Sequence, residues 1–297
     1  MSGTWNYTEQ GRITVEGGSV WYGICGDLRS DKSPLLVIHG GPGMSHDYLR
    51  PLSDLSADRP VVFYDQLDAG NSERPNNPTN WNVARFMSEI DQVRDALSLE
   101  RVVVFGNSWG GTLAAAYAAG KPSGLAGVIL SSPLIKTDTW IADNTAYREA
   151  LPADVRATLD THEAAGTTDD PAYLQAVDVF YRRHLCRTNP WPDYVERTFE
   201  VMNVDCYAAM WGPNEFTCTG VLKGYDGSAQ LPKIEAPVLV TCGAFDEATP
   251  QSTKAFAARI PNADFQVFPA SSHMAFVEER EAYMKCVRTF LHSTDCG

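Results

Sequence analysis

Three glycines surround one serine in Gly106-Asn107-Ser108-Trp109-Gly110-Gly111. A strand-like run precedes this segment and an alanine-rich run follows it. That context lets a serine sit on a sharp strand-to-helix turn as a nucleophile. Glycines at 106, 110 and 111 remove the Cβ atoms that such a turn would crush. At the start of a helix, free N–H groups and the helix dipole favour developing negative charge. A serine hydroxyl needs a base, and the base needs an orienting acid. Where a serine sits on such an elbow, the acid and then the histidine follow it in the chain.

Six histidines are present, at 39, 46, 162, 184, 273 and 292. His162 and His184 precede the late strands, and His292 reads as a solvated residue at the end of the last helix. His273, in the loop Pro269-Ala270-Ser271-Ser272-His273-Met274, follows a strand pattern and emerges at the carboxyl edge of the sheet, where sites form. Asp246 leaves the preceding strand at the same edge. The competing reading is that Asp246 or Glu247 only caps the helix that starts at Pro250. His39-Gly40-Gly41-Pro42-Gly43 follows an early strand, and its backbone can approach an oxyanion without side-chain clash. Gly41 N–H is the expected donor there, with Trp109 N–H as the second. His39 reads as a structural hydrogen-bonding residue.

The elements that must hold these residues can be read from pattern. Residues 12–25 alternate as a hairpin turning at Gly17-Gly18. Leu35–Ile38, Val61–Tyr64, Val102–Phe105 and Val128–Leu130 are continuous apolar runs, as parallel strands covered on both faces require. Phe86, Ile90, Val93 and Leu97 recur at helical spacing and predict a helix over 82–98. Leu113 to Ala119 continues the serine turn as a tightly packed helix. From 135 to 228 the strand–helix rhythm stops. Leu174, Val177, Tyr181 and Leu185 mark one helix there, and Val195, Phe199, Met202 and Cys206 another. Strand 237–242, helix 250–260, strand 265–268 and helix 278–291 then complete the pattern. The expected architecture is α/β, a mostly parallel sheet whose core (1–134 and 229–297) is interrupted by a helical cap (135–228).

Composition narrows the function. The 297 residues carry 24 Lys and Arg against 37 Asp and Glu, a net charge of −13. Such a balance argues against nucleic-acid binding and against adsorption to an anionic membrane. It suits a cationic substrate, or solubility alone. Val102 to Gly120 carries no charge, but glycines interrupt it, so strand, turn and helix explain it better than a membrane span. The first twelve residues lack a basic segment followed by an apolar run, so no secretory signal is expected. Seven scattered cysteines form no CxxC pair and no zinc-like spacing. Reduced thiols in a cytoplasmic protein, without metal or cofactor, are the expectation.

The assembled residues resemble the proline iminopeptidase family of α/β-hydrolases, with the tricorn-interacting aminopeptidases and amino-acid amidases. The resemblance runs along nearly the whole chain. It rests on His39 to Tyr48, Phe63-Tyr64-Asp65-Gln66, Gly106 to Gly111, Gly212-Pro213-Asn214-Glu215-Phe216-Thr217, Phe245 to Pro250 and Ser272-His273. It implies an α/β-hydrolase fold and hydrolysis of an N-terminal aminoacyl bond by Ser108, Asp246 and His273. It also implies that Glu215 and Glu247 bind the substrate's free α-ammonium. Buried carboxylates attract an ammonium and leave an acylated terminus uncompensated. The chain departs from the family at Asp68, where a glycine is expected two residues after Gln66. Trp109, Trp211 and Phe216 fit equally as apolar walls for a first side chain or as packing between cap and core.

The expected activity is therefore a serine aminopeptidase or aminoacyl-amide hydrolase. Its partner is a short peptide or amide with a free N-terminus, including an aminoacylated biosynthetic intermediate. Ester or lactone hydrolysis by the same triad is the alternative, and a non-catalytic ligand-binding relative is a third reading.

Overall fold

A computed structural model describes residues 6–295. Among these residues eight strands form one sheet in the order β1-β2-β4-β3-β5-β6-β7-β8. Strands β1 (Glu9–Val15) and β2 (Gly18–Cys25) make an antiparallel hairpin. Its turn is Glu16-Gly17, one residue earlier than the sequence suggests. Gly17 takes a φ of 88°, and Gly18 already pairs with Val15. Strand β2 pairs antiparallel with β4. From there β3 (Leu35–Ile38), β4 (Val61–Asp65), β5 (Val102–Asn107), β6 (Leu125–Ser131), β7 (Val238–Gly243) and β8 (Ala263–Phe268) run parallel.

The four residues of β3 are fully buried, and their alternation builds both faces of the core. Leu36 and Ile38 join the cluster with Phe86, Ile90, Val104 and Leu113. Leu35 and Val37 join the opposite cluster with Phe105, Phe276 and Tyr283. Burial on both sides explains why these strands read as unbroken apolar runs.

Helix α1 (Val83–Ala96) begins at Asn82, whose side chain accepts the Arg85 N–H. Such a cap satisfies one of the orphan donors of the first turn. Helix α2 (Trp109–Ala119) follows β5 with one residue, Ser108, between them. Its Gly110 lies against the carbonyl end of β3: a Cβ there would stand 2.2 Å from the Ile38 oxygen.

Between β6 and β7 the described chain is helical. It holds α3 (Thr137–Glu149), α4 (Ala153–Ala165), α5 (Pro171–His184), α6 (Asp193–Glu200) and α7 (Val204–Met210). The helix expected through Val195, Phe199, Met202 and Cys206 is in fact two. The break falls at 201–203, where Asn203 caps α7 by accepting the Cys206 N–H. The last part contains α8 (Pro250–Ala257), the short α9 (Ala275–Glu278) and α10 (Arg280–Asp295). No described helix is long and apolar enough to cross a membrane.

The approach of α2 to β3 yields a first prediction. In Gly110→Ala the added methyl meets backbone, which cannot swing aside. Urea unfolding is expected to show a loss of at least about 3 kcal/mol, at the upper end for overpacking.

Candidate active site

Ser108 has φ 55° and ψ −120°, a strained conformation for a side-chain-bearing residue. Its surroundings over-determine it. Ser108 N–H donates to Ser131 O at 3.0 Å, and Ser108 O accepts the N–H groups of Gly111, Thr112 and Leu134. Gly106 is obligatory because a Cβ there would lie 2.2 Å from the Gly110 carbonyl oxygen. Trp109 opens the helix, so its N–H belongs to the first turn and has no intrahelical partner.

The glycine loop after β3 faces this turn. Gly41 has φ 51° and packs on Met44, where a Cβ would come within 2.4 Å of the sulfur. Two residues fix the loop to the serine turn. The Tyr48 hydroxyl accepts the Gly40 N–H and donates to Asn107 Oδ1, both at 2.7 Å. His39 Nε2 accepts the Gln66 N–H while its Nδ1–H donates to Gly40 O. Both ring nitrogens of His39 are thus engaged, and burial holds its pKa below the usual histidine value. It is structural. Gln66 also accepts the Trp109 indole N–H at 2.9 Å, which fixes the ring beside the serine.

Asp246 and His273 meet directly, with His273 Nδ1 2.8 Å from Asp246 Oδ1. An ionised carboxylate only accepts, so the ring proton lies on Nδ1 and Nε2 is left as a base. Asp246 is fully buried and well supplied with donors. Oδ1 also accepts Ala248 N–H, and Oδ2 accepts the Ser132 hydroxyl and Gly243 N–H. His273 Nε2 makes no hydrogen bond to Ser108 Oγ among the described contacts. Its charged neighbour is Glu247 Oε1 at 3.6 Å. Catalytic hydrogen bonds are commonly long in empty sites and tighten around substrate.

Ser108, Gly41, Trp109 and Glu215 line one small cavity, closed by Trp140, Tyr207 and Trp211. Trp140 packs edge-on to the His273 ring at 5.7 Å and so joins the cavity to the Asp246–His273 pair. Of the three aromatic candidates, Trp109 and Trp211 are walls of the cavity. Phe216 instead packs with Leu151, Tyr173 and Phe180 in a separate cluster of the helical segment, under the Arg148 guanidinium.

The two glutamates differ. Glu215 Oε1 accepts the Tyr207 hydroxyl at 2.5 Å, and Trp140 donates to its carbonyl. Glu247 is fully buried, and neither carboxylate oxygen has a hydrogen-bond partner. Burial, with the Glu215 and Asp246 carboxylates nearby, pushes the Glu247 pKa well above its ordinary 4.5. Burial raises Glu215 as well. A buried anion without a partner is costly unless a cation arrives to pair with it.

Asp68 has φ 65°, in the left-handed region that suits the glycine the resemblance implies there. Aspartate tolerates that conformation, and here its carboxylate is used. Oδ1 accepts the Asn76 N–H at 2.7 Å and Oδ2 the Trp81 indole N–H at 2.8 Å.

The chain matches the family model of the alpha/beta hydrolase fold over residues 33–280. It is 43% identical to a proline iminopeptidase of Heyndrickxia coagulans, over 97% of this chain and 99% of the relative. The chain belongs to the proline iminopeptidase family of α/β-hydrolases. It is a hydrolase of the aminopeptidase kind. Among solved structures, VinJ superposes with a TM-score of 0.94 at 38% identity, covering 97% of this chain and all of that one. The proline iminopeptidase of Mycobacterium smegmatis gives 0.90 at 37%, covering 97% and 99%. Sequence reasoning left Tyr48, Asn107 and Tyr207 without a role and did not single out Ser132. Tyr48 lies inside a motif, and nothing in a linear pattern says which side chain its hydroxyl meets.

The orphaned Glu247 makes a second prediction. A carboxyl whose folded pKa is raised contributes stability that is present below 4.5 and lost as pH climbs through the raised value. Glu247→Gln removes that loss. The variant is expected to match the parent near pH 4.5 and to exceed it at pH 8 by about 1 kcal/mol or more, a rise in Tm of at least about 1.5 °C by calorimetry.

Proposed function

We propose that the chain hydrolyses the bond after the first residue of short peptides or aminoacyl amides, and that recognition turns on a free α-ammonium. The observation that carries this is Glu247: two buried, unpartnered carboxylate oxygens beside Glu215 and 3.6 Å from His273. An ammonium placed there would satisfy both carboxylates. It would also set the scissile carbonyl one residue away, in front of Ser108.

In this reading Ser108 Oγ attacks the carbonyl carbon and His273 Nε2 takes its proton. The N–H groups of Gly41 and Trp109 hold the tetrahedral oxyanion. His273 then gives the proton to the leaving amine, and water repeats the sequence on the acyl-enzyme. Asp246 keeps the imidazole in its tautomer and stabilises the imidazolium. Neither metal nor cofactor enters these steps. The segment 135–228 acts as the cap, between core parts 1–134 and 229–297. It supplies Glu215 and the walls Trp140, Tyr207 and Trp211, and it limits entry to small substrates. The apolar walls Trp109, Trp140 and Trp211 favour a compact first side chain, proline included. A cytoplasmic site of action fits the six described cysteines, all free. Ester or lactone hydrolysis is not favoured, because the near-full-length relatives are proline iminopeptidases.

Aminoacyl anilides assayed beside their N-acetylated counterparts test the recognition. The free amines are expected to be preferred by roughly 10³-fold or more, since a site built for a polar group rejects the analogue that lacks it. Equal rates would sink the ammonium reading. Ser108→Ala is expected to lower kcat by at least about 10⁴-fold, and full activity in it would remove the nucleophile.

A further inference from the structure

Strand β6 runs into a second strained serine. Ser132 has φ 49°, and it directly precedes Pro133. Proline pushes the residue before it toward extended conformations, so a left-handed serine there is doubly disfavoured. Six described non-glycine residues have positive φ. Asp68 and Asn76 are of tolerant types, and Ser98 and Lys121 are exposed in turns after helices. That leaves Ser108 and Ser132, both at carboxyl ends of central strands. Such strain persists only where surrounding structure enforces it, and it concentrates at functional sites.

The enforcing contacts are visible. Ser132 N–H donates to Thr241 O on β7 at 2.7 Å. Pro133 presses on the start of α2, where a Cβ on Gly111 would lie 2.7 Å from the proline ring. The outcome is an aimed hydroxyl: Ser132 Oγ donates to Asp246 Oδ2 at 2.6 Å and lies 3.4 Å from the His273 carbonyl oxygen. Apart from His273, no other described side chain hydrogen-bonds this carboxylate; its other two donors are backbone N–H groups.

We propose that Ser132 is a positioning residue for the hydrolysis: its hydroxyl fixes Asp246 Oδ2, which keeps Oδ1 on His273 Nδ1. The inference rests on Asp246 orienting the base, as proposed above. A carboxylate rotates broadly about its last bond, so the donors on one oxygen decide where the other points. Without the hydroxyl, a fully buried carboxylate loses one of its four donors and its best-aimed restraint. The imidazole then loses its fixed bearing on Ser108. Substrate contacts are untouched, because Ser132 is not a wall of the cavity.

Ser132→Ala and Ser132→Gly test this together. Glycine adopts positive φ freely, so Ser132→Gly keeps the turn while losing the hydroxymethyl group. Both variants are expected to lower kcat about 10- to 100-fold, the worth of a hydrogen bond to a charged group, with KM within about twofold. Ser132→Gly should unfold at a higher temperature than Ser132→Ala, which keeps the strained φ without the hydroxyl. In an Asp246→Asn background, Ser132→Ala should add almost nothing, because the hydroxyl acts through the carboxylate. Parent-like kcat in Ser132→Gly would overturn the proposal. So would a loss confined to KM, or losses that multiply independently in the double variant. If Asp246→Asn alone kept full activity, the reading of Asp246 would fail first and this inference with it.

Discussion

Helix α2 lies closer to the sheet than any residue with a side chain permits. Gly106 and Gly110 give the contact, backbone against backbone, and the turn between them has room for a single residue. That residue is forced into a left-handed conformation and held above the carboxyl edge of β5. The rest of the site is arranged around this point. The Gly41 loop arrives at the end of β3 next door, tied to the turn through Tyr48 and Asn107. Ser132 and Asp246 follow β6 and β7 in sheet order, so parallel neighbours deliver the groups to one edge in register.

Charge is handled in two opposite ways within a few ångströms. Asp246 is buried with four donors, so its negative charge is already compensated. Glu247, the next residue, is buried with none. The first arrangement suits a group that must keep one orientation and one charge. Under the proposed recognition, the second is an unfavourable burial that a cationic ligand would relieve. Consecutive residues differ this sharply because Asp246 meets donors at the ends of β6 and β7, whereas Glu247 has two carboxylates and the His273 ring for neighbours.

Local pattern carried much of this. The glycine–serine turn, the apolar strands, the early glycine loop and the late aspartate and histidine are all encoded within short windows, where spacing follows from covalent geometry and steric exclusion. Their order along the chain suffices to assign an α/β sheet and to propose Ser108, Asp246 and His273. Boundaries differ from the pattern where a single residue intervenes: the Asn203 side chain starts a new helix by capping it, and the Gly17 backbone takes the turn while Gly18 already pairs in the strand.

What only the tertiary structure decided are the long-range partnerships. Ser132 and Asp246 are 114 residues apart, and no periodicity links them. The pattern could not say that Glu247 lacks a partner while Glu215 has Tyr207. Nor could it say that Phe216 belongs to a separate cluster while Trp211 faces the cavity, or that Asp68 answers Trp81 and Asn76. Satisfaction of a polar group depends on which distant atoms packing brings within 3 Å of it. A linear sequence fixes the chemistry each residue offers, and folding alone selects the neighbour that uses it.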